Sequence, residues 1–423
     1  MCPSSIRYSN IGSSIIILLN KEMKKLLSII ALFAISFGAL AQSAATPAPA
    51  KTYEFKVVKE LPITSVKNQA SSGTCWCFST ISFLESELLR KGYKDPDLDL
   101  SEMFVVSKAY QDKAEKYIRL DGALNFGQGS DFGDVIETIQ TYGIVPNSVM
   151  DGLNYGETRH MHSEMAAALT GYLQAIAKVP NRHLSTAWKD GFRGIVDAYL
   201  GACPETFQYK GKTYTPQQYR DEIGLGNLDE YVSLTSFTHH PFYTQFAIEV
   251  PDNWRWTPSY NLPIDELMEV MYNAIDKGYT IAWGSDVSEN GFDRQGLGIM
   301  PDVQVVEEAG SDQARWVGVS AEDKAKALAA MRENVPEMTI TQEMRQKAFD
   351  NKETTDDHGM HIYGTAVDQR GTKYFMVKNS WGVTGKYDGI WYVSDSFVRY
   401  KTLNILVHKD ALPKAIKTKL GIK

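Results

Sequence analysis

The segment Asn68-Gln69-Ala70-Ser71-Ser72-Gly73-Thr74-Cys75-Trp76-Cys77-Phe78-Ser79 carries the strongest structural signal in the chain. From Trp76 onward apolar residues recur at helical spacing until Lys91-Gly92, which predicts a helix that begins at or just after Cys75. The unpaired amides at a helix N-terminus favour an anion and lower the pKa of a thiol placed there. This position suits a nucleophile, although a free cysteine is more often a small buried hydrophobic residue.

A histidine and an asparagine that could serve this thiol lie near the C-terminal end of the sequence. His358 opens a strand-like segment, and Asn379 closes the strand that follows it. If the two strands are antiparallel neighbours, the asparagine oxygen can accept the proton of one imidazole nitrogen and leave the other facing the thiol. Gln69 adds an amide donor, which together with the backbone N–H of Cys75 could bind an oxyanion.

The N-terminal region has the pattern of a secretory signal. Lys24-Lys25 precede an apolar run from Leu26 to Leu40 that ends at Ala39-Leu40-Ala41, a small-residue cleavage site. The run is shorter than the roughly 20 apolar residues of a membrane span, so we expect no stable membrane anchor after cleavage. The protein is therefore predicted to be exported, either to the periplasm or out of the cell. The predicted organisation is a gene-model extension over 1–22, a signal peptide over 23–41, a flexible leader over 42–52 and one domain over 53–423.

Composition excludes several classes of protein. The 423 residues include 44 Lys+Arg and 51 Asp+Glu, a net charge of -7, so the chain has no basic excess for binding nucleic acid. Removal of the predicted signal leaves Cys75, Cys77 and Cys203. Three cysteines in an exported chain exclude a disulfide framework and leave at least one free thiol.

The hydrophobic period changes along the chain. Apolar residues recur at helical spacing in the first half, while they alternate as in strands in the last third. This pattern predicts an α+β fold. A helical half carries Cys75, and an antiparallel sheet half carries His358 and Asn379. Two polar, aperiodic stretches, at about 182–231 and 287–336, are predicted insertions on the surface of the core. The predicted elements are helices at Asp134–Thr141, Met165–Lys178 and Leu267–Ile275, and strands at Ile362–Val367, Lys373–Lys378 and Gly389–Val393.

The combination of Gln69, Gly73-Thr74-Cys75-Trp76, His358 and Asn379-Ser380-Trp381-Gly382 resembles the papain-like cysteine peptidases. In that family the histidine follows the cysteine by about 130 to 150 residues. Here the separation is 283 positions, and the two predicted insertions account for the surplus. Segments such as Tyr142-Gly143-Ile144-Val145-Pro146 make the chain most similar to the bleomycin hydrolase and aminopeptidase C branch.

The resemblance implies a cysteine peptidase that hydrolyses peptide substrates through an acyl-enzyme and needs no cofactor or metal. It assigns Cys75 as nucleophile, His358 as general acid and base, Asn379 as the group that orients the imidazole, and Gln69 as oxyanion donor. Cys77 is expected to pack behind the nucleophile. His361 is a rival to His358, but Gly364 matches the family's strand glycine only in the His358 register. The residues expected to line the substrate cleft are Gly129, Ser130, Asp131, Trp76, Trp283 and Trp381.

The sequence leaves open whether the peptidase cleaves at the N-terminus of a peptide or within it. The branch implies an aminopeptidase whose C-terminal arm fixes the substrate amine, but the sequence reaches Lys423 soon after the predicted helix Pro413–Leu420, with no room for that arm. Asp131 or Asp134 could pair with the ammonium instead, although helix capping also explains both. Alternatives are an endopeptidase with an open cleft and a catalytically silent peptide-binding protein. A homo-oligomer is a further expectation, doubtful without the arms of the family's hexamer.

Overall fold

The computed structural model describes residues 53–180, 183–289, 291–302 and 337–423. The predicted extension, signal peptide and leader, and residues 303–336 of the second predicted insertion, lie outside the described residues. Within the part of the chain that is described, no helix is both long and apolar enough to cross a membrane.

The predicted nucleophile helix forms as expected and lies at the centre of the helical half. Helix α1 begins at Cys75, directly after Thr74, and ends at Arg90. Gly92 follows with a φ of 89°, a left-handed conformation that glycine adopts without strain. Residues 76–88 of α1 are all buried, because the sheet covers one side and the other helices cover the rest. The helices of this half are α1 (Cys75–Arg90), α2 (Glu102–Arg119), α3 (Phe132–Tyr142), α4 (Ser163–Ala177), α5 (Ala187–Leu200) and α6 (Pro216–Ile223).

The second half is built on one mixed sheet. The strands of the sheet are β1 (Phe55–Glu60), β4 (Tyr231–Thr235), β5 (Gln245–Ala247), β6 (Pro258–Asn261), β7 (Ile281–Ser285), β8 (Leu297–Gly298), β9 (His358–Asp368), β10 (Lys373–Lys378), β11 (Ile390–Ser394) and β12 (Thr402–His408). Their order is β5-β6-β4-β12-β7-β9-β10-β11-β8, and β1 pairs with β9. Strands β9 and β10 are antiparallel, with His361 opposite Lys378, so the predicted antiparallel pair is confirmed. Helices α7 (Ile264–Lys277), α8 (Gln342–Asp350), α9 (Asp395–Lys401) and α10 (Lys414–Leu420) accompany it.

The two halves meet where β9 crosses the first turn of α1, and a glycine makes this close approach possible. A Cβ added at Gly359 would lie 2.7 Å from Ser79 Oγ and 3.3 Å from the carbonyl carbon of Cys75. Real Cβ atoms almost never come this close to another heavy atom, so the strand can reach the helix only at a residue without a side chain. The preceding residue, His358, is thereby held next to the N-terminus of α1.

The first predicted insertion differs from the expectation of an aperiodic surface segment. Residues 183–231 contain α5, α6 and a hairpin of β2 (Phe207–Tyr209) and β3 (Lys212–Tyr214). Phe192, Val196 and Leu200 recur every four residues on α5 and are buried in the helical core. The helical spacing was missed because the intervening polar residues, which face solvent, masked it, while the assignment of this stretch as an insertion stays a prediction.

Candidate active site

Cys75 and His358 line one cavity between the two halves, with a volume of about 150 Å³. This is below the roughly 300–1,000 Å³ of typical small-molecule pockets, so the closed part of the cleft suits a short portion of a ligand. The structure therefore brings together the thiol and the imidazole that the sequence places at opposite ends of the chain. The predicted cleft residues that line the same cavity are Trp76, Gly129, Ser130 and Asp131.

The surroundings of the Cys75 thiol shift its pKa in the direction opposite to the one predicted. Burial raises the pKa of Cys75 to about 11, and the negative charges of Asp356 and Asp252 add to this shift. The backbone amides of Gly359, on β9, and of Trp76, at the helix N-terminus, act in the opposite direction, but they are outweighed. The predicted lowering of the thiol pKa is therefore wrong for the free protein, because desolvation of the thiolate costs more than the helix terminus supplies.

The imidazole is held by the predicted asparagine. Nε2 of His358 lies 2.7 Å from Oδ1 of Asn379, which leaves Nδ1 as the nitrogen available to the thiol. The Asn379 oxygen also accepts from the backbone N–H of Ser380 at 2.7 Å, so its orientation is fixed. Trp381 stacks on the imidazole, with ring centres 4.8 Å apart, and covers this hydrogen bond. Burial lowers the pKa of His358 to about 4, which favours the neutral imidazole.

His361, the rival histidine, lies elsewhere. It shares a face of β9 with Gly359, as residues two apart on a strand do, and its Nδ1 lies 2.9 Å from Ser82 Oγ on α1. Its side chain is fully buried, and burial holds its pKa well below the ordinary value. The preference for His358 over His361 agrees with this placement, because only His358 lines the cavity.

Gln69 connects the nucleophile segment to the asparagine segment. Its backbone N–H donates to Ser380 O at 2.8 Å, and its side-chain Oε1 accepts from Ser380 Oγ at 2.6 Å. One amide hydrogen goes to Ser72 O at 2.7 Å, and the amide carries a second hydrogen. Two further contacts, an Asn68–Trp381 bridge and Gly382 N–H to Lys67 O at 3.0 Å, extend this pairing. We call segments 67–69 and 380–382 together the catalytic seam.

Trp283 is not a cleft residue, which corrects the prediction. Its side chain is fully buried in the sheet core, and its Nε1 donates to Thr402 Oγ1 at 2.7 Å. Successive residues of a strand face opposite sides, so the next residue, Gly284, is the one that lines the cavity. Trp381 lies on the other side of the histidine, where it lines a neighbouring cavity with Trp391 and Arg294.

The two other cysteines of the described residues have structural positions. Cys77 is fully buried, and its Sγ lies 3.3 Å from Glu102 O, so it packs behind the nucleophile as predicted. Cys203 lies 3.4 Å from Ser107 Oγ. Both thiols are free, as is Cys75.

Several carboxylates contribute to the wall of the cavity. Asp131 accepts from Asn404 Nδ2 through both oxygens at 2.9 Å, and burial raises its pKa to about 7. Asp134 is fully buried and accepts from Ser130 Oγ and from the backbone of Asp131, so its role is structural and it does not face the cavity. Asp252 and Asp356 also line the cavity. Neither residue was predicted from the sequence, although Asp356 lies only two residues before His358.

His239, His240 and Glu249 lie close together and are residue types that bind metals, but hydrogen bonds account for their arrangement. Nε2 of His239 and Nε2 of His240 lie 3.0 and 2.8 Å from the two oxygens of Glu249. Gln346 Nε2 lies 3.0 Å from His239 Nδ1 and its Oε1 accepts from Thr238 N–H, so the amide is oriented to donate to Nδ1. The proton of a neutral His239 is then on Nε2, where a metal would have to bind.

Comparison with known proteins agrees with this geometry. A family model described as the Peptidase C1-like family matches residues 19–330 and 331–422. The chain belongs to the Peptidase C1-like family. This member is a cysteine peptidase with the predicted α+β papain-like fold, and the resemblance to the bleomycin hydrolase and aminopeptidase C branch is confirmed.

Relatives of this peptidase are distant but match over most of their length. It is 23% identical over 401 residues to aminopeptidase C of Lactobacillus helveticus, covering 83% of this chain and 80% of the relative. It is 22% identical over 396 residues to bleomycin hydrolase of Gallus gallus, covering 83% and 81%. The crystal structure of PepW from Lactobacillus rhamnosis HN001 superposes with a TM-score of 0.66 at 19% identity, covering 98% of this chain and 95% of that chain.

Proposed function

We propose that this peptidase is an aminopeptidase of the bleomycin hydrolase type, which releases the N-terminal residue of a peptide. The observation that carries the proposal is the composition of one small cavity: Cys75 and His358 lie on its walls together with the carboxylates of Asp131, Asp252 and Asp356. Carboxylates at this position complement the ammonium group of a free N-terminus. The relatives named aminopeptidase C and bleomycin hydrolase support the same activity.

In the proposed reaction Cys75 Sγ attacks the carbonyl carbon of the first peptide bond, and its proton passes to His358 Nδ1. Asn379 holds the imidazole in the required tautomer, and the second amide hydrogen of Gln69 and the Cys75 backbone N–H bind the oxyanion. The imidazolium then protonates the departing amine, leaving an acyl-enzyme. Water attacks the acyl-enzyme, transfers a proton through His358, and releases the amino acid. The raised thiol pKa and lowered imidazole pKa favour a neutral pair before substrate binds.

The decisive experiment compares hydrolysis of amino-acid amides with hydrolysis of their N-acetylated forms by the same preparation. An aminopeptidase cleaves the free amines with much the higher kcat/KM, whereas equal rates would indicate an endopeptidase. Cys75→Ala should abolish turnover, with Cys203→Ala as the matched control that retains it. Failure of an epoxide thiol inactivator to label Cys75 would favour a catalytically silent peptide-binding protein.

We also propose that the protein is exported, on the basis of the basic, apolar and small-residue pattern over residues 23–41. The test is expression of the full chain in a bacterium, followed by fractionation and N-terminal sequencing. Cleavage after Ala41 predicts a mature chain that begins at Gln42. Recovery of a chain that still begins at Met1 or Met23 would contradict export by signal cleavage.

A further inference from the structure

Asp252 occupies a particular place in the cavity. A Cβ added at Gly129 would overlap the Asp252 carboxyl group, so the carboxylate lies directly in front of the Gly129 Cα. Gly129, Asp252 and Cys75 line the same cavity. A peptide that extended from the thiol along Gly129 would meet this side chain, so Asp252 limits how far the substrate can extend on this side.

The carboxylate is available to a cation in the cavity. Its side-chain hydrogen bond comes from the neutral amide of Asn125. The neighbouring ammonium of Lys113 donates to the carbonyl oxygens of Gly127 and Gly129 at 3.1 and 2.8 Å, so those hydrogen bonds are directed at backbone. Burial raises the pKa of Asp252, because a carboxylate in the cavity wall is partly removed from water. A desolvated carboxylate gains more from an ammonium partner than an exposed one does.

We propose, building on the aminopeptidase function above, that Asp252 is the specificity-determining residue that fixes the N-terminus of the substrate. Its carboxylate binds the α-ammonium of the first residue, and its bulk in front of Gly129 excludes any residue or blocking group that precedes it. One side chain thus supplies both the attraction for a free amine and the barrier to a longer chain. The site takes an α-amino-acyl group.

The same arrangement links binding to reactivity. Cys75, Asp252 and Asp356 line the same cavity, so the two carboxylates face the space beside the thiol and their negative charge disfavours the thiolate. An ammonium bound against Asp252 offsets that charge, and the thiolate then forms more readily. A substrate without the amine leaves the charge in place. The preference for a free amine should therefore appear in kcat as well as in KM.

The test uses three amides of one amino acid: the free amine, its desamino analogue and its N-acetyl derivative. In Asp252→Asn the ratio of kcat/KM for the free amine over the desamino analogue should fall at least about tenfold, because a charge-assisted pair is replaced by a neutral contact. Asp252→Ala should in addition raise hydrolysis of the N-acetyl derivative, because the barrier in front of Gly129 is removed. Asp276→Asn, an exposed change on α7, is the matched control and should leave every ratio unchanged.

The outcomes separate this inference from the function on which it rests. Wild-type protein that cleaves all three amides equally would overturn the aminopeptidase proposal itself. A wild-type preference for the free amine that survives in Asp252→Asn would overturn the role of Asp252. If thermal unfolding shows that the asparagine variant is not folded, Asp252→Ser provides the same charge test with a smaller side chain.

Discussion

Substitution of Gly359 by alanine tests whether the approach of β9 to α1 creates the catalytic geometry. The added Cβ would lie 2.7 Å from Ser79 Oγ, 3.2 Å from Phe132 Cε1 and 3.3 Å from the Cys75 carbonyl carbon. To restore an ordinary contact of at least 3.4 Å, the strand must move by roughly 0.7 Å away from the helix. His358 is the adjacent residue on the strand, so the imidazole should move with it.

The expected effects follow from that displacement. A misplacement of about 1 Å in a catalytic constellation can cost about 100-fold in rate, so we expect kcat/KM to fall by about 10- to 100-fold. Overpacking a tight interface costs about 1–3 kcal/mol, which sets the expected loss in the free energy of unfolding. The assays are steady-state hydrolysis of an amino-acid amide and urea-induced unfolding of the same preparation.

Two further variants make the reasoning refutable. Gly171→Ala, on α4, adds a Cβ that meets nothing within 4 Å and should keep full activity with about 0.5–1 kcal/mol more stability. Ser79→Ala combined with Gly359→Ala removes the nearest contact and should recover part of the lost activity. If Gly359→Ala alone keeps its kcat/KM within about twofold and its stability unchanged, the close approach does not control the site.

Three other predictions concern the remaining polar groups. Asn379→Ala should lower kcat by about tenfold or more, a part of the roughly 10²–10⁴-fold that a positioned acid–base group contributes, because His358 remains but loses its orienting partner. Single-turnover kinetics measure this. Arg345→Met should cost about 3 kcal/mol or more in urea unfolding, because the buried guanidinium donates to three backbone carbonyls that would lose their partner. His162 is buried, and burial lowers its pKa to about 4. Below pH 6.5 the folded state therefore binds fewer protons than the unfolded state, and the free energy of unfolding should fall by up to about 3 kcal/mol between pH 6.5 and pH 4. His162→Leu should remove that part of the pH dependence, as measured by urea unfolding at several pH values.

The sequence predicted the elements that carry reactive groups better than those that support them. The apolar spacing after Trp76 was regular and ended at a glycine, so α1 was predicted with bounds close to those observed. The 18-residue helix Glu102–Arg119 was missed, since Lys113 and Glu102 are buried in it by specific partners and obscure its pattern. The partners that stabilise a buried charge are brought to it by the fold, so the sequence alone does not reveal them.

The residues of the candidate site also divide into those that the sequence identified and those that only the fold reveals. Cys75, His358 and Asn379 were identified because their chemistry requires those residue types near recognisable helix and strand boundaries. Asp252 was missed because a loop delivers it to the cavity from outside any motif, and only the fold places its carboxylate against Gly129. Trp283 was misplaced because the direction of a strand side chain depends on register, which the sequence leaves open by one residue.

The catalytic seam has a consequence for how this chain can vary. Residues 67–69 and 380–382 are joined by short hydrogen bonds, so the oxyanion donor and the orienting asparagine keep their separation whatever the contour length of the polypeptide that loops between them. Additions or deletions in surface segments between them, away from Cys75, His358 and Asn379, therefore need not change the distance from Gln69 to the asparagine. Those surface segments are free to acquire other tasks.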